Sequence, residues 1–456
     1  MPKSALVRID VARHAELWAR GVVMSMDDGT GNELGEISEE CFFDHELREP
    51  IQDEIHARLI PPLQAPVRAR RIVFLVGRQS DQMAYAGKQL RNWCVEAGVA
   101  GPSENWRQFS FATGEYNVTW EAHTEFVTLT WYAPIADKLA RPKGVGLEVL
   151  KQFPIITAAR IDVVERHEIS PSALLGFEPK SLCLSRVGQG NAQIGTDFQT
   201  DVHGFTRFEI AVDQLSSIKT GILVRRLLEI DTYRTMALVG LPDARIQSHI
   251  VGGLEMELGE LNEEIGCVAS INDSKRIMGK LHSLSVRAGQ SLDATAYRFA
   301  ASQAYGDVLQ IRLDRIEEEQ SEKHTTITRY LSNRVDPALA TCRATEKRQR
   351  SLNNKIARSI QLLDARINVD MQSQSREVLS SISETAKSQY KLQSTVEGLS
   401  TIAISYYALG ILGYVLAGLA DYLPISKTMM LGLLAPFVLL ASWFGIQAIK
   451  NRHKAE

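Results

Sequence analysis

Nothing in this sequence supplies the cysteine or glycine spacings on which common metal and nucleotide sites are built. Its five cysteines (Cys41, Cys94, Cys183, Cys267 and Cys342) are far apart and odd in number. No CxxC and no Cys/His cluster at zinc spacing occurs, which argues against a disulfide scaffold or a structural zinc and suits a reducing cytoplasm. GxxxxGK[ST], HExxH and GxSxG are absent as well. The glycine-rich GQGNAQIG at 188–195 lacks the GxGxxG spacing and precedes no helical pattern, so it reads as a hairpin turn. Aromatics are sparse at 7%, and the net charge of -3 offers no basic footprint for phosphates, which excludes broad nucleic-acid binding. The opening MPKSALVRIDVARHAELWARG has scattered charges and no apolar core of signal-peptide type, so the bulk of the chain is expected to stay unsecreted. No catalytic residue is assigned, and the protein is expected not to be an enzyme.

Long uncharged runs, by contrast, are present. Residues 399–420 and 428–449 are two stretches of 22 residues without a charge. At about 1.5 Å of rise per residue each matches a hydrocarbon core of roughly 30 Å. The seven residues DYLPISK (421–427) between them force antiparallel neighbours, with Pro436 expected to kink the second span. Lys387 and Lys391 precede the first span, and Lys450, Arg452 and Lys454 follow the second. Positive charge stays cytoplasmic, which places both termini and the large domain inside and DYLPISK in the periplasm of a bacterial inner membrane. The alternative is a buried hairpin in a soluble core, for which such runs are rare.

The first span carries two stripes. Gly410, Gly413 and Ala417 put small side chains on one face, where another backbone can approach closely. Glu397, Thr401 and Ser405 make a polar stripe that continues outward through Ala408, Leu412, Val415 and Leu419. Around an axis of several copies it could line a pore with a polar inner mouth and an apolar constriction. Alternatively, the hydroxyls bond back to their own helix and the stripe packs on the second span.

Upstream, residues 1–45 read as an arm and 46–214 as an α/β domain. Within the latter, RIVFLVG (71–77) is a buried strand, 80–98 an amphipathic helix, and 108–131 a β-meander. Three more strands are expected at 155–165, 181–187 and 204–212. Residues 215–336 form a helical domain, with a stop at Gly240 and helices at 244–265, 291–319 and 322–334. Pro337 is expected to break the run, and 337–398 to form a stalk helix leading into the first span. The stalk's apolar seam comprises Leu352, Ile356, Ile360, Leu363, Ile367, Met371, Val378 and Ile382, with Gln374 in one slot. Its mean spacing, roughly 3.75 residues, is nearer an eleven-residue than a seven-residue repeat. Such a seam is expected to be buried against sibling helices, which implies a homo-oligomer.

Two polar clusters stand out. Glu54, His56 and Arg58 precede the first strand, and His123 and Glu125 are expected to share a face at the start of another. Together they could form a polar pocket or hold a divalent cation, or simply fix the arm to the sheet; the metal is left unknown and no cofactor is required. Acidic residues at 317–319 and 255–264 read as solvated helix faces.

The segments REPIQDEIHAR, EAHTEF, HGFTRFEI, LVRRLLEIDTYRTMALVGLP and YKLQSTVEGLSTIAISYYALGILGYV resemble a proteobacterial family of membrane-anchored proteins known only as a domain of unknown function, number three-four-two-two. The resemblance runs from about residue 40 to the C-terminus and implies no activity. In the order of its parts the chain also resembles CorA-type divalent-cation channels, which implies a homopentamer with the first span lining a pore. Ala417-Gly418-Leu419 stands where those channels carry Gly-Met-Asn, so the asparagine that would hold a hydrated ion is absent. Two functions follow as expectations, a CorA-like ion channel or transporter and a membrane-anchored binding or scaffold protein without transport; an enzyme acting through Glu54, His56, His123 and Glu125 has only its residue types behind it.

Overall fold

The computed structural model describes residues 45, 47–48, 51–52, 60–77, 80–103, 106–268, 270–319, 324–419 and 427–453. Met1–Leu59 and Ile60–Glu456 are separate units, and the architecture below is that of the second.

β1 (Val67–Leu75) lies inside an eight-stranded sheet, and its residues from Ala69 to Phe74 are all buried. This is the strand that RIVFLVG signals. α1 (Ser80–Ala97) follows, then the meander β2 (Gln108–Thr113), β3 (Tyr116–Ala122) and β4 (Phe126–Pro134). A single 3-10 turn (Leu147–Leu150) precedes β5 (Ile155–Glu165), the four-residue α2 (Pro171–Leu174), β6 (Cys183–Val187), β7 (Ala192–Thr200) and β8 (Thr206–Val212). The sheet order is β2-β3-β4-β1-β5-β8-β7-β6. Among the described strands, β5 and β8 pair in parallel and the other neighbours antiparallel.

Four strands therefore follow the meander where three were expected. The additional one is β7, disguised by Gly195 in mid-strand. A Cβ there would sit 2.8 Å from Ile169 Cδ1, so close packing explains the glycine. Of the 188–195 segment expected as a hairpin turn, residues 188–191 form the β6–β7 turn and 192–195 belong to β7.

Helices follow: α3 (Ser217–Leu238), α4 (Gly240–Cys267), α5 (Ile271–Asp314), α6 (Ile327–Leu419) and α7 (Lys427–His453). Ser216 caps α3 and Ser270 caps α5, each accepting a backbone N–H three residues on. The expected stop at Gly240 is a one-residue joint. The Gly240 N–H donates to Ser302 Oγ (3.0 Å), and a Cβ would lie 2.6 Å from that oxygen.

Boundaries differ from expectation: the helix expected at 322–334 begins only at Ile327 and runs on without a stop. The helix expected at 291–319 starts twenty residues earlier and ends at Asp314. Residues 317–319 are consequently not a helix face: the Glu318 carboxylate accepts the N–H groups of Ile327 (3.0 Å) and Thr328 (2.8 Å), satisfying free donors at the start of α6. Pro337 does not break the chain but lies within the 93-residue α6. Proline removes one helical hydrogen bond, that to the carbonyl four residues back. Here that residue is Asn333, and both it and Pro337 are exposed, so water can take the freed carbonyl.

The sheet is covered on both faces. On one, Ile72, Phe74, Trp120, Leu129 and Trp131 pack with Leu90 and Cys94 of α1. On the other, Ile161, Ile194, Phe208 and Ile210 meet Val224 and Leu227 of α3, Leu313 of α5 and Leu331 and Val335 of α6. Beyond the sheet, α4, α5 and α6 form a three-helix bundle around Leu254, Leu258, Leu281, Leu284, Leu352, Ile356 and Leu363. The bundle contains a buried polar layer in which Gln349 Nε2 donates to the Ser291 carbonyl (2.9 Å) and Oγ (3.0 Å). Such a layer fixes helix register, since any slip strands its polar atoms.

Candidate functional site

His123 and Glu125 do not begin a strand. They occupy the turn between β3 and β4, and their side chains go different ways. His123 stacks on Phe126, with centroids 4.2 Å apart. Glu125 has no solvent exposure and takes both arms of the Arg298 guanidinium at 3.0 and 2.8 Å, plus the Tyr305 hydroxyl at 3.0 Å. Burial and the neighbouring Glu125 charge hold the Tyr305 phenol above its ordinary pKa. The carboxylate is thus committed to tying the sheet to α5, through a bidentate, charge-assisted pair. Glu54, His56 and Arg58, the other half of the expected pocket, lie outside the described residues. Among the described residues, no three His, Cys, Asp or Glu side chains are grouped to hold a metal ion.

A second buried network was not visible in the sequence. Glu121 on β3 accepts from Arg71 of β1 (3.1 Å), Thr128 of β4 (3.3 Å) and Arg225 of α3 (3.0 Å). Arg225 also donates to Glu229 (3.0 Å), which in turn accepts from Arg312 of α5. Burial alone would lower the Arg225 pKa, but Glu121 and Glu229 outweigh it and raise it. Charges alternate through this chain of five, and each carboxylate has at least two donors. It therefore cross-links sheet, α3 and α5 and leaves no free base or nucleophile among its members.

The α6–α7 hairpin contains two helices long and apolar enough to cross a membrane, and few residues of their apolar stretches are fully buried inside the chain. Ile402, Tyr406, Ile411, Tyr414, Leu433, Phe437 and Phe444 are all exposed. This is the reverse of a buried hairpin in a soluble core.

The proposed pore stripe faces inward in this hairpin. Thr401, Ala408 and Leu412 are half-buried and Ser405 is buried, on the side of α6 against which α7 packs. Thr401 Oγ1 donates to the Glu397 carbonyl (2.8 Å) and Ser405 Oγ to the Thr401 carbonyl (2.7 Å). The hydroxyls are thereby satisfied within their own helix. Val415 is exposed and lies off this face; the side chain of Leu419 lies outside those described. The small-residue stripe is divided too. A Cβ on Gly413 would approach Leu431 to 3.6 Å, whereas one on Gly410 would meet no other part of the protein within 4 Å, and Ala417 is exposed.

Between bundle and hairpin, α6 stands bare. Of the expected seam, Leu352, Ile356 and Leu363 are buried and Ile360 and Ile367 half-buried. From 371 to 395 every residue is exposed. Met371, Val378 and Ile382 continue the seam in the open, and Leu392 and Val396 extend it to the first apolar span. Gln374, Thr385 and Gln389 fill the intervening slots, so that the steps are all of three or four residues, the spacing of a helix-packing stripe.

No curated protein matches the chain. Its sequence matches the family described as "Protein of unknown function (DUF3422)" across residues 43–453. Almost the whole chain is covered, and the protein belongs to that family.

Proposed function

We propose that this protein is a membrane-anchored, self-associating scaffold or binding protein of the bacterial inner membrane, without transport activity. In this reading the α6–α7 hairpin spans the bilayer, and the bare length of α6 bundles with copies of itself. The sheet and three-helix body then recognises a cytoplasmic partner or ligand at a fixed distance from the membrane. The bare, apolar-striped stretch of α6 is the observation that carries it. An isolated helix in water is marginal, and most helical stability comes from packing an apolar face. Some 40 Å of helix, at about 1.5 Å per residue, has an apolar seam that its own chain leaves uncovered. Lysines before the first span and the Lys450, Arg452, Lys454 tail support cytoplasmic termini.

The channel reading draws on one feature, the continuity of stalk and first apolar span in a single helix of 93 residues. Against it, the Thr401–Ser405–Leu412 stripe is already occupied by α7. Lining an axis with that stripe would require the hairpin to repack.

Mass measurement of the full chain in lipid nanodiscs tests both readings, alongside cation flux into liposomes. The scaffold reading expects a discrete homo-oligomer, dissociated by Val378→Glu with Ile382→Glu, and no flux from wild type or Leu412→Ser. A wild-type particle containing one chain would overturn it. Flux that rises in Leu412→Ser would establish the channel instead.

A further inference from the structure

One cavity of the α/β domain has the chemistry of a ligand site that no part of the scaffold reading requires. It measures about 530 Å³ and lies where the segment after β4 folds back over β1, within the roughly 300–1,000 Å³ range of small-molecule sites. Its floor is apolar: Ile72 and Phe74 of β1 and Leu150 of the 3-10 turn. All three are at most 3% exposed.

The rim differs in kind. Arg141, Lys143 and Lys151 line it and are exposed. Among the described residues none of the three has an ion-pair or hydrogen-bond partner. Several arginines elsewhere in this domain are engaged, among them Arg70 with Asp137, Arg71 with Glu121, Arg160 with Asp201 and Arg207 with Glu209. The one acid on the rim, Glu148, already accepts from Trp93 Nε1.

The covering segment is fixed in place. Gly146 has φ of 87°, and a Cβ there would come within 2.7 Å of the Trp120 ring. Only glycine combines that backbone with that contact. Val145 and Leu150 beside it are fully buried.

We propose that this cavity binds a small amphipathic carboxylate, with its hydrocarbon portion on Ile72, Phe74 and Leu150 and its anionic head between Arg141, Lys143 and Lys151. Burying the tail removes apolar surface from water. Charge-assisted hydrogen bonds from the rim hold the head where it remains partly solvated. An uncharged chain forgoes the rim, and a short acid forgoes the floor. The proposal deepens the binding-protein reading but is independent of stalk association.

Titration calorimetry on the full chain in nanodiscs, corrected with empty nanodiscs, tests it with sodium octanoate, 1-octanol and sodium acetate. Saturable octanoate binding is expected, at least about tenfold tighter than either control. The combined Arg141→Ala, Lys143→Ala, Lys151→Ala variant should lose at least about tenfold. Ile155→Asp, at a half-exposed position on the mouth, should weaken octanoate comparably while leaving circular dichroism unchanged. Octanoate that fails to saturate overturns the proposal, as does equal binding by wild type and the triple variant. Acetate binding as tightly as octanoate overturns it too, since the floor would then contribute nothing. Repeating the titration on Val378→Glu with Ile382→Glu separates the two readings, because a dissociated chain should still bind octanoate.

Discussion

Glu125 and Arg298 are 173 residues apart in the chain and meet in a bidentate pair with the Tyr305 hydroxyl. A buried pair of this kind is weak evidence for net stabilisation, but removing one partner leaves a charge uncompensated. Glu125→Ala is therefore expected to destabilise the fold by about 3–5 kcal/mol. Tyr305→Phe, which removes a single donor, should cost about 1 kcal/mol. Denaturant unfolding of the full chain followed by near-UV circular dichroism measures both, and a Glu125→Ala effect no larger than that of Tyr305→Phe would refute the assignment. Thiol chemistry offers an independent check. Burial, reinforced by Glu318, pushes the Cys183 thiol up to about 12, and burial raises Cys94 and Cys342 as well. Since the thiolate is the reactive species, these three stay protonated and unreactive at mildly alkaline pH. Cys267 at the end of α4 is exposed. In a Cys41→Ser background, maleimide should modify Cys267 alone in the folded protein and all four cysteines after denaturation. Labelling of folded Cys183 at the rate of Cys267 would contradict the packing around β6.

Where two helices cross closely, a single hydrogen in place of a methyl group sets the distance. A Cβ on Gly306 of α5 would lie 2.3 Å from Leu339 Cδ1 of α6. Gly306→Ala should therefore destabilise by about 1–3 kcal/mol through overpacking, despite alanine's better helix propensity. Adding Leu339→Ala should recover part of the loss in a double-mutant cycle, and additive effects would show that the two residues do not meet. Elements were legible where the pattern was local. The RIVFLVG strand, the meander, the helix at 80–97 and the two apolar spans all follow from periodicity and length. β7 was lost because Gly195, a packing glycine, interrupts its pattern. Pro337 misled because proline's cost falls on the carbonyl four residues back, and here that carbonyl is at the surface. Glu318 looked like part of an acidic helix face because its capping role depends on where α6 starts. Of the candidate site, residue type alone drew attention to His123 and Glu125 as members of a polar pocket. The side-chain partners of Glu125, Arg298 and Tyr305, come from a helix far along the chain, so no spacing rule could separate a structural ion pair from a binding pocket. The Thr401–Ser405 stripe was likewise visible, but which way a helix face turns is decided by the neighbouring helix.

At the scale of the whole molecule, α6 divides the protein into a part whose cores are closed and a part whose surface is open. Every residue of the two sheet cores and the three-helix bundle lies at or before Ile367. A chain ending at Asn368 should accordingly fold as a monomer and unfold cooperatively. Extending it to Gly398 adds the exposed seam of Met371, Val378, Ile382, Leu392 and Val396. Pairing two such helices covers five side chains on each but buries them only in part, which yields roughly half of the 1.5–3 kcal/mol that full burial gives each one. Association costs roughly 4–15 kcal/mol in lost freedom before side-chain ordering is included. The difference is small, so the extended soluble chain should associate only weakly, with Kd on the order of micromolar to millimolar. The apolar hairpin changes this balance by tethering the stalks in one plane, which raises their effective concentration without a new contact. Sedimentation of the 368- and 398-residue chains across a concentration series, beside the full chain in nanodiscs, should show a monomer, a weak reversible oligomer and a stable one. A 368-residue chain that aggregates or melts without cooperativity would mean that the body needs the bare helix to fold. Equal association of the 368- and 398-residue chains would place the contact on the body and remove the stalk from the assembly.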